Sequence, residues 1–456
     1  MKTESWQQCI IPSCGKKYPI KEQKTTCDCG ELLDVRYRGY FPQSLQESFY
    51  KRRNHGKNIF DESGVWRYRE LINFAGVDSG NYDDYSQKLV SLDGAEGRTK
   101  PFHLTKVADY VGVKPKNFWL QFEGDNPTGS FKDNGMATAF THARIVGAKK
   151  VVCASTGNTS SSAAAFAANE FDMEAVILVG AGKIAKGKLA QSLAYGSMVL
   201  EVKGDFDVAM AMVKALSSKS GIYVVNSLNA FRLEGQKTMM YRVLDYLGWE
   251  VPDWIVFPGG NLGNTAAFGK AFMELYNYGW INKKPRMAVV VAEGAPTLDD
   301  LYNHRKLRWN VGNIDNRIIH EYYAEVDRKG IKAKTKASAI EILKPVNLKK
   351  AIRTLEFTNG VVTKVPDTEI LDAMAMVSKN GFGCEPASAA TVSGTKNLVE
   401  QGVINSDETV VGIATGHMLK DVKAIVDYHF NPKNRFANMP MKVEPEIKEI
   451  LKHVNN

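Results

Sequence analysis

No stretch of this chain stays apolar long enough to cross a membrane. The longest such run, AVILVG (Ala175–Gly180), falls far short of the ~20 residues a spanning helix needs. The opening MKTESWQQ is polar and lacks a leader pattern. Cysteine is scarce, 6 in 456 residues. That is too few for a disulfide framework at this length, so a stapled secreted scaffold is excluded and reduced thiols are expected. Lysine and arginine outnumber the acids, 59 to 50, for a formal net charge of +9. They are scattered, and no dense basic stripe with interleaved aromatics occurs. The excess favours small anionic partners such as phosphorylated metabolites, with no nucleic acid and no membrane. Internal repeats are missing as well. The expectation is a cytoplasmic globular protein of about two or three domains.

The cysteines that do occur are concentrated. Cys9, Cys14, Cys27 and Cys29 lie in CIIPSCGKKYPIKEQKTTCDCGE, with Gly15 and Gly30 following two of them. Thiolates suit tetrahedral zinc, and glycine lets the backbone turn beneath a metal. The spacings are C-x4-C and C-x-C rather than paired C-x2-C. Two readings stand: a zinc ribbon, or a decayed ribbon that packs without metal. Residues Phe41 to about Ser91 are aromatic-rich and read as short helices on the outside of the main body. Beyond them, β-rich runs alternate with helical ones. Lys149–Ser155, Ala175–Gly180, Ser197–Gly204, Ile222–Ser227, Trp254–Gly259, Met287–Gly294 and Thr409–Thr415 read as strands. Asn158–Phe171, Lys183–Gly196, Asp207–Ser217 and Arg232–Leu247 read as helices. This alternation predicts an α/β protein with parallel sheets, whose chemistry lies in the loops after the strands.

Those loops are informative. STGNTSSS (Ser155–Ser162) sets hydroxyl and amide donors at a helix start, which suits an anion. One helix cap would use one hydroxyl, not a run of them. PGGNLGNTAAFGKAF (Pro258–Phe272) has GGxxG spacing, which matches neither a dinucleotide fingerprint nor a triphosphate loop. It fits a compact monophosphate cradle. NSLNAFRLEGQKT (Asn226–Thr238) gathers Asn226, Asn229 and Arg232 at a helix start. There the arginine either clamps a second anion or makes a surface salt bridge. TGHMLKD (Thr415–Asp421) puts a hydroxyl at a strand end; His417 packs or caps. Finally, FEGDNPTGSFKDNGM (Phe122–Met136) holds Lys132 after a Gly-Ser turn. A lysine nucleophile, a monophosphate cradle and an anion site together suit pyridoxal 5′-phosphate.

NPTGSFKD, STGNTS, GGNLGN, NSLNAFRLEGQKT, GCEPASAAT and ATGHMLKD follow one another in this order. They resemble the motifs of the β-family, or fold type II, of pyridoxal-phosphate enzymes, and within it those of the threonine synthases. The likeness runs from about Ser91 to Asp421, and the cysteine-rich N-terminus resembles one carried by many threonine synthases. It implies two parallel-sheet, three-layer domains of the tryptophan-synthase-β-like kind with the cofactor between them. The expected units are a ribbon (1–36), a helical segment (37–90), a large cofactor-binding domain (91–135 and 229–433), a small mobile domain (136–228) and a basic tail (434–456). The resemblance makes Lys132 the Schiff-base lysine and sets Asn158 on the cofactor's 3′-oxygen. Gly259, Gly260, Asn261, Leu262, Gly263 and Asn264 would wrap its phosphate, and Thr415 would face the pyridine nitrogen. Ser155, Thr156 and Thr159 would hold the substrate carboxylate, and Asn226 and Arg232 the substrate phosphate. Phe131 would lie beside the cofactor or in the core.

The implied reaction turns O-phospho-L-homoserine and water into L-threonine and phosphate, in a protein expected to form a homodimer. Rival readings are a cysteate synthase acting on phosphoserine and sulfite, a threonine or serine dehydratase, and a non-catalytic sensor of an amino-acid phosphate. One departure is EGRTKPF (Glu96–Phe102), where an inserted Lys100 separates Thr99 from Pro101 and leaves Thr99 without an assigned role.

Overall fold

Three sheets organise the described residues. The structure, a computed structural model, describes residues 4–74, 86–155, 157–170, 172–180, 186–204 and 206–454. The N-terminal ribbon is an antiparallel sheet of β1 (Glu4–Cys9), β2 (Lys17–Pro19) and β3 (Leu33–Arg38), ordered β2-β1-β3. β4 (Pro101–Phe102) and β5 (Phe118–Phe122) begin a six-stranded sheet. β6 (Lys150–Ala154), β7 (Glu174–Gly180), β8 (Met198–Val202) and β9 (Tyr223–Val224) form a four-stranded one. β10 (Trp254–Pro258), β11 (Arg286–Ala292), β12 (Val361–Val365) and β13 (Val410–Ala414) complete the larger sheet, ordered β12-β11-β10-β13-β5-β4. The smaller is ordered β8-β7-β6-β9, and every pairing in the two is parallel except β4 with β5.

The composition of the central strands explains this arrangement. AVILVG in β7 and MAVVVA in β11 are buried along their whole length, as strands covered by helices on both faces must be. Such unbroken apolar runs cannot sit in a sheet with one wet face. The strand expected at Ile222–Ser227 pairs only over Tyr223–Val224. Past it, Val225 N–H still donates to Val152 O at 3.0 Å, and the Asn226 side chain replaces the ladder.

Short helices do form in the aromatic-rich segment, at Leu45–His55, Ile59–Glu62 and Trp66–Ile72. Their large side chains are core rather than periphery: Phe49, Trp66 and Tyr68 are fully buried. The Trp66 indole N–H donates to Val90 O at 2.8 Å, which satisfies the polar edge a buried tryptophan carries. Near the C-terminus, the helix Ile447–Val454 is exposed. Among the described residues, no helix is long and apolar enough to cross a membrane.

Candidate active site

The C-terminal ends of β5, β6, β9, β10 and β13 deliver the loops singled out above. Lys132 opens the helix Lys132–Ile145. The loop before it turns at Gly129, whose φ of +80° suits glycine. That loop is zipped to the end of β13: Phe131 N–H donates to Thr415 O at 2.9 Å, and His417 N–H donates to Gly129 O at 2.8 Å. Asp133 accepts from the Thr128 N–H at 2.8 Å and hydroxyl at 2.6 Å. Glu123, fully buried, accepts from the Asn126 and Asn134 amides at 2.9 and 2.8 Å and from Thr99 at 2.7 Å. Burial pushes the Glu123 carboxyl up, but the Arg242 guanidinium at 2.7 Å outweighs it and holds the group below its usual range. Thr99 therefore braces the lysine loop from behind.

The Lys132 Nζ lies 3.8 Å from the centroid of the Phe131 ring. Burial, then the nearby Arg232 cation, lower its pKa to about 7, against an opposing pull from Glu385. An amine in that range is a nucleophile and a proton carrier at neutral pH. Thr415 is buried, and its hydroxyl lies 3.0 Å from that of Ser388, which also accepts from Gly416 N–H at 2.8 Å. The group offered by this strand end is thus a neutral hydroxyl pair.

The glycine loop fits a phosphate. Every backbone N–H from Gly260 to Thr265 lacks an acceptor among the described residues. Leu262 sits at φ +61°, in the left-handed region, and the helix Gly263–Asn277 begins directly after it. Consecutive unpaired donors at a helix start form an anion cup. A Cβ on Gly259 would lie 2.6 Å from a Val289 methyl, so glycine is required there. Asn261 is tied down by Val346 N–H at 3.1 Å and Asn347 N–H at 3.2 Å. Asn264 Oδ1 accepts from Gln236 at 2.6 Å, which leaves its N–H donors to the cup.

At the second expected anion site the helix Asn158–Asn169 is capped by Gly157 without a side-chain cap. Ser160 and Ser161 donate back to Gly157 O, Ser162 donates to Asp133 at 2.5 Å, and Ser155 accepts from Gly157 N–H at 3.2 Å. The Thr159 hydroxyl and the N–H groups of Asn158, Thr159 and Ser160 make no hydrogen bond with the described residues. Thr156 lies outside the described residues.

Arg232 is the most telling side chain. It is 1% exposed, and its one side-chain hydrogen bond to the described residues is from Nη1 to Val225 O at 2.9 Å. Its Nε has no partner, and no carboxylate pairs with it among the described residues. Burial lowers its pKa to about 10. A cation held this way is expensive unless an anion arrives. Asn226 exchanges hydrogen bonds with Ala154, accepting from its N–H at 3.0 Å and donating to its O at 2.9 Å. It ties the ends of β6 and β9 together and keeps one N–H for a ligand. Asn229 instead caps the helix Ala230–Tyr246, and His417 accepts from Leu419 N–H.

Two side chains without a role in the sequence reading enter the site. Glu385 accepts from Asn158 Nδ2 at 2.9 Å, and a Cβ on Gly416 would lie 2.5 Å from its carboxylate. Lys420 Nζ donates to Thr128 O at 3.1 Å, to Ser161 at 3.2 Å and to Gln191. It thus joins the end of the large sheet to two helices of the small one. Their signals were present in GCEPASAAT and ATGHMLKD. In the ribbon, the Cys9, Cys14, Cys27 and Cys29 sulfurs converge.

Comparison with known proteins agrees with this geometry. A family model described as pyridoxal-phosphate dependent enzyme matches residues 92–416. The threonine synthase of Methanocaldococcus jannaschii is 38% identical over 98% of this chain and 100% of its own length. That of Methanosarcina acetivorans is 37% identical over 95% and 96%. In three dimensions the chain is similar to the crystal structure of threonine synthase from Escherichia coli, with a TM-score of 0.68, 16% identity and 99% of each chain covered.

Proposed function

Because the chain belongs to the threonine synthases, lyases among the pyridoxal-phosphate-dependent enzymes, we propose that its residues convert O-phospho-L-homoserine and water to L-threonine and phosphate as follows. When bound, pyridoxal phosphate supplies an aldehyde for an amine and an electron sink for a carbanion. Lys132 is the amine that anchors it. The N–H groups from Gly260 to Asn264 would hold its phosphate, Asn158 would meet its 3′-oxygen, and Thr415 would give its ring nitrogen a neutral partner. The N–H groups and hydroxyl around Thr159, with Ser155 and Thr156, hold the substrate carboxylate. Arg232 and the remaining Asn226 N–H hold the substrate phosphate.

Lys132 Nζ, displaced from its anchoring role, takes the proton from the substrate Cα, hands it on within the closed site, and, neutral again, takes the proton from Cβ. Phosphate leaves Cγ, Cγ takes back one of the two protons to become a methyl group, the oxygen of water adds at Cβ, and the other proton returns to Cα. Departing phosphate stays beside Arg232, where it can accept the proton of the incoming water. Burial excludes bulk water from the lysine, so proton return is internal.

The observation that carries this reading is the buried, unpaired Arg232 beside Lys132. A dehydratase substrate has no second anion for it. A substrate series tests the reading: O-phosphohomoserine, phosphoserine with sulfite, and unphosphorylated serine and threonine. Turnover of the first alone supports it. Turnover of phosphoserine with sulfite, and not of O-phosphohomoserine, contradicts it.

Two further outcomes follow. The neutral fraction of an amine with a pKa of about 7 grows about tenfold per pH unit below that value and then saturates. Capture of pyridoxal phosphate by the cofactor-free chain, followed by stopped-flow absorbance, should therefore accelerate up to about pH 7 and flatten above it. A rate still climbing through pH 9 would mean an ordinary lysine. Lys420→Met should loosen the small unit (136–228), which closes over substrate. It should raise KM more than it lowers kcat, and speed proteolysis between the sheets; unchanged proteolysis and KM would remove the latch.

A further inference from the structure

Four cysteines outside the active site remain without work. Cys9 and Cys29 sulfurs lie 3.6 Å apart, and those of Cys14 and Cys27 3.7 Å apart. All four fall within 4.8 Å of one another. These separations exceed a disulfide bond, about 2.05 Å. They match the edge of a tetrahedron with metal–sulfur distances of about 2.3 Å, which is about 3.8 Å. The backbone is built for that arrangement. Gly15, at φ +56°, directly follows Cys14, and Gly30, at φ +87°, directly follows Cys29. Gly15 N–H donates to Ile11 O and Gly30 N–H to Cys27 O, closing two knuckles. The irregular spacing is absorbed by the turns, not by the sulfur positions. Outside the sulfurs, the Tyr18 hydroxyl contacts Cys27 at 3.2 Å and is itself fixed by Asp28 N–H. Lys16 and Lys24 pair with Asp28, at 3.5 and 2.6 Å.

The ribbon is also wedged between the two α/β layers. Toward the small sheet, Ile20 O meets His142 Nε2 at 2.7 Å, and Gln23 donates to Gly221 O at 3.0 Å. Toward the large one, buried Asp34 of β3 pairs with Lys350 at 3.0 Å and Arg353 at 2.8 Å, and Lys350 donates to Leu33 O at 2.7 Å. Those cations belong to the helix Leu348–Phe357. The same helix and its cap touch the phosphate cup: Asn347 N–H donates to Asn261 O, and the Thr354 hydroxyl donates to Thr265 O at 3.0 Å. From the other side, the Tyr37 hydroxyl donates to Glu234, two residues beyond Arg232, at 2.7 Å.

We propose that Cys9, Cys14, Cys27 and Cys29 hold one zinc ion, and that the loaded ribbon braces the helix that shapes the phosphate cup, so that losing zinc loosens the hold on pyridoxal phosphate. The first half stands on the sulfurs alone; the second rests on the cup assigned under the proposed function. The chemistry is coordination without redox: each thiol gives up its proton to become a ligand.

The test uses the full chain purified without chelator. Elemental analysis should find one zinc per chain, removed by an organomercurial and restored by zinc chloride. Less than about a tenth of an equivalent after zinc reconstitution, iron in its place, or disulfides among the four would overturn the site. Pyridoxal phosphate affinity is then titrated by fluorescence on loaded and stripped protein. About a tenfold weakening on stripping, reversed by zinc, is expected, together with a lower thermal midpoint. Cys29→Ser, at the exposed ligand, offers a milder route to the same comparison if stripped protein precipitates. Equal affinity with and without zinc would overturn the brace while leaving the metal site. Failure of the loaded protein to bind pyridoxal phosphate at all would overturn the cup, and the brace with it.

Discussion

Lys132→Ala is expected to lower kcat by at least about 10³-fold, because one substitution removes both the anchor for the aldehyde and the proton carrier. The folded state should survive it. The side chain it deletes is held near neutrality by burial and by Arg232, so the variant loses a strained amine rather than a stabilising contact. The surrounding loop keeps its bonds from Phe131 to Thr415 and from Thr128 to Asp133. The variant should therefore melt at or above the wild-type temperature, still bind pyridoxal phosphate through the glycine loop, and show no borohydride-fixed cofactor. Activity within about tenfold of wild type would move the chemistry to another group.

Arg232→Met is expected to act in opposite directions on stability and on activity. The guanidinium is buried with one carbonyl acceptor and an unpartnered Nε. Replacing such a cation with an apolar side chain of similar length should stabilise the substrate-free chain by about 1–2 kcal/mol. The same change removes charge-assisted hydrogen bonds to phosphate, so kcat/KM for O-phosphohomoserine should fall on the order of 10²-fold. Arg232→Lys should not rescue fully, since an ammonium lacks the planar pair of donors. Thermal melts and initial rates on the two variants check both signs. A destabilised Met variant with normal kinetics would make Arg232 a structural residue only.

What the sequence made legible was local. The Gly259–Asn264 loop and Thr415 lie at or just past the ends of β-rich runs, so the rule that chemistry follows parallel strands pointed to them, whereas Lys132, well past the end of β5, was singled out by the Gly-Ser turn before it. Glu385 and Lys420 escaped because their partners are remote. Glu385 meets Asn158 across 227 positions, and Lys420 meets Gln191 across 229. A short polar motif says that such residues do something, but not what they face. Asn226 was readable as a candidate, set with Asn229 and Arg232 at a helix start. Its bonds to Ala154 were not, because they depend on β6 lying beside β9. In the aromatic-rich segment, Trp66 and Tyr68 lacked a clean helical period, and only the Tyr68 contact with Tyr241 and the Trp66 hydrogen bond to Val90 reveal them as core. The cysteine spacing was ambiguous because the knuckle turns, invisible in a count of residues, set the sulfur positions.

The most direct measurement is to incubate the pyridoxal-phosphate-loaded protein with O-phospho-L-homoserine and quantify phosphate and L-threonine together. The account predicts their release in equal amounts. Phosphate without threonine, or neither product from protein that still carries a borohydride-reducible cofactor, would contradict it.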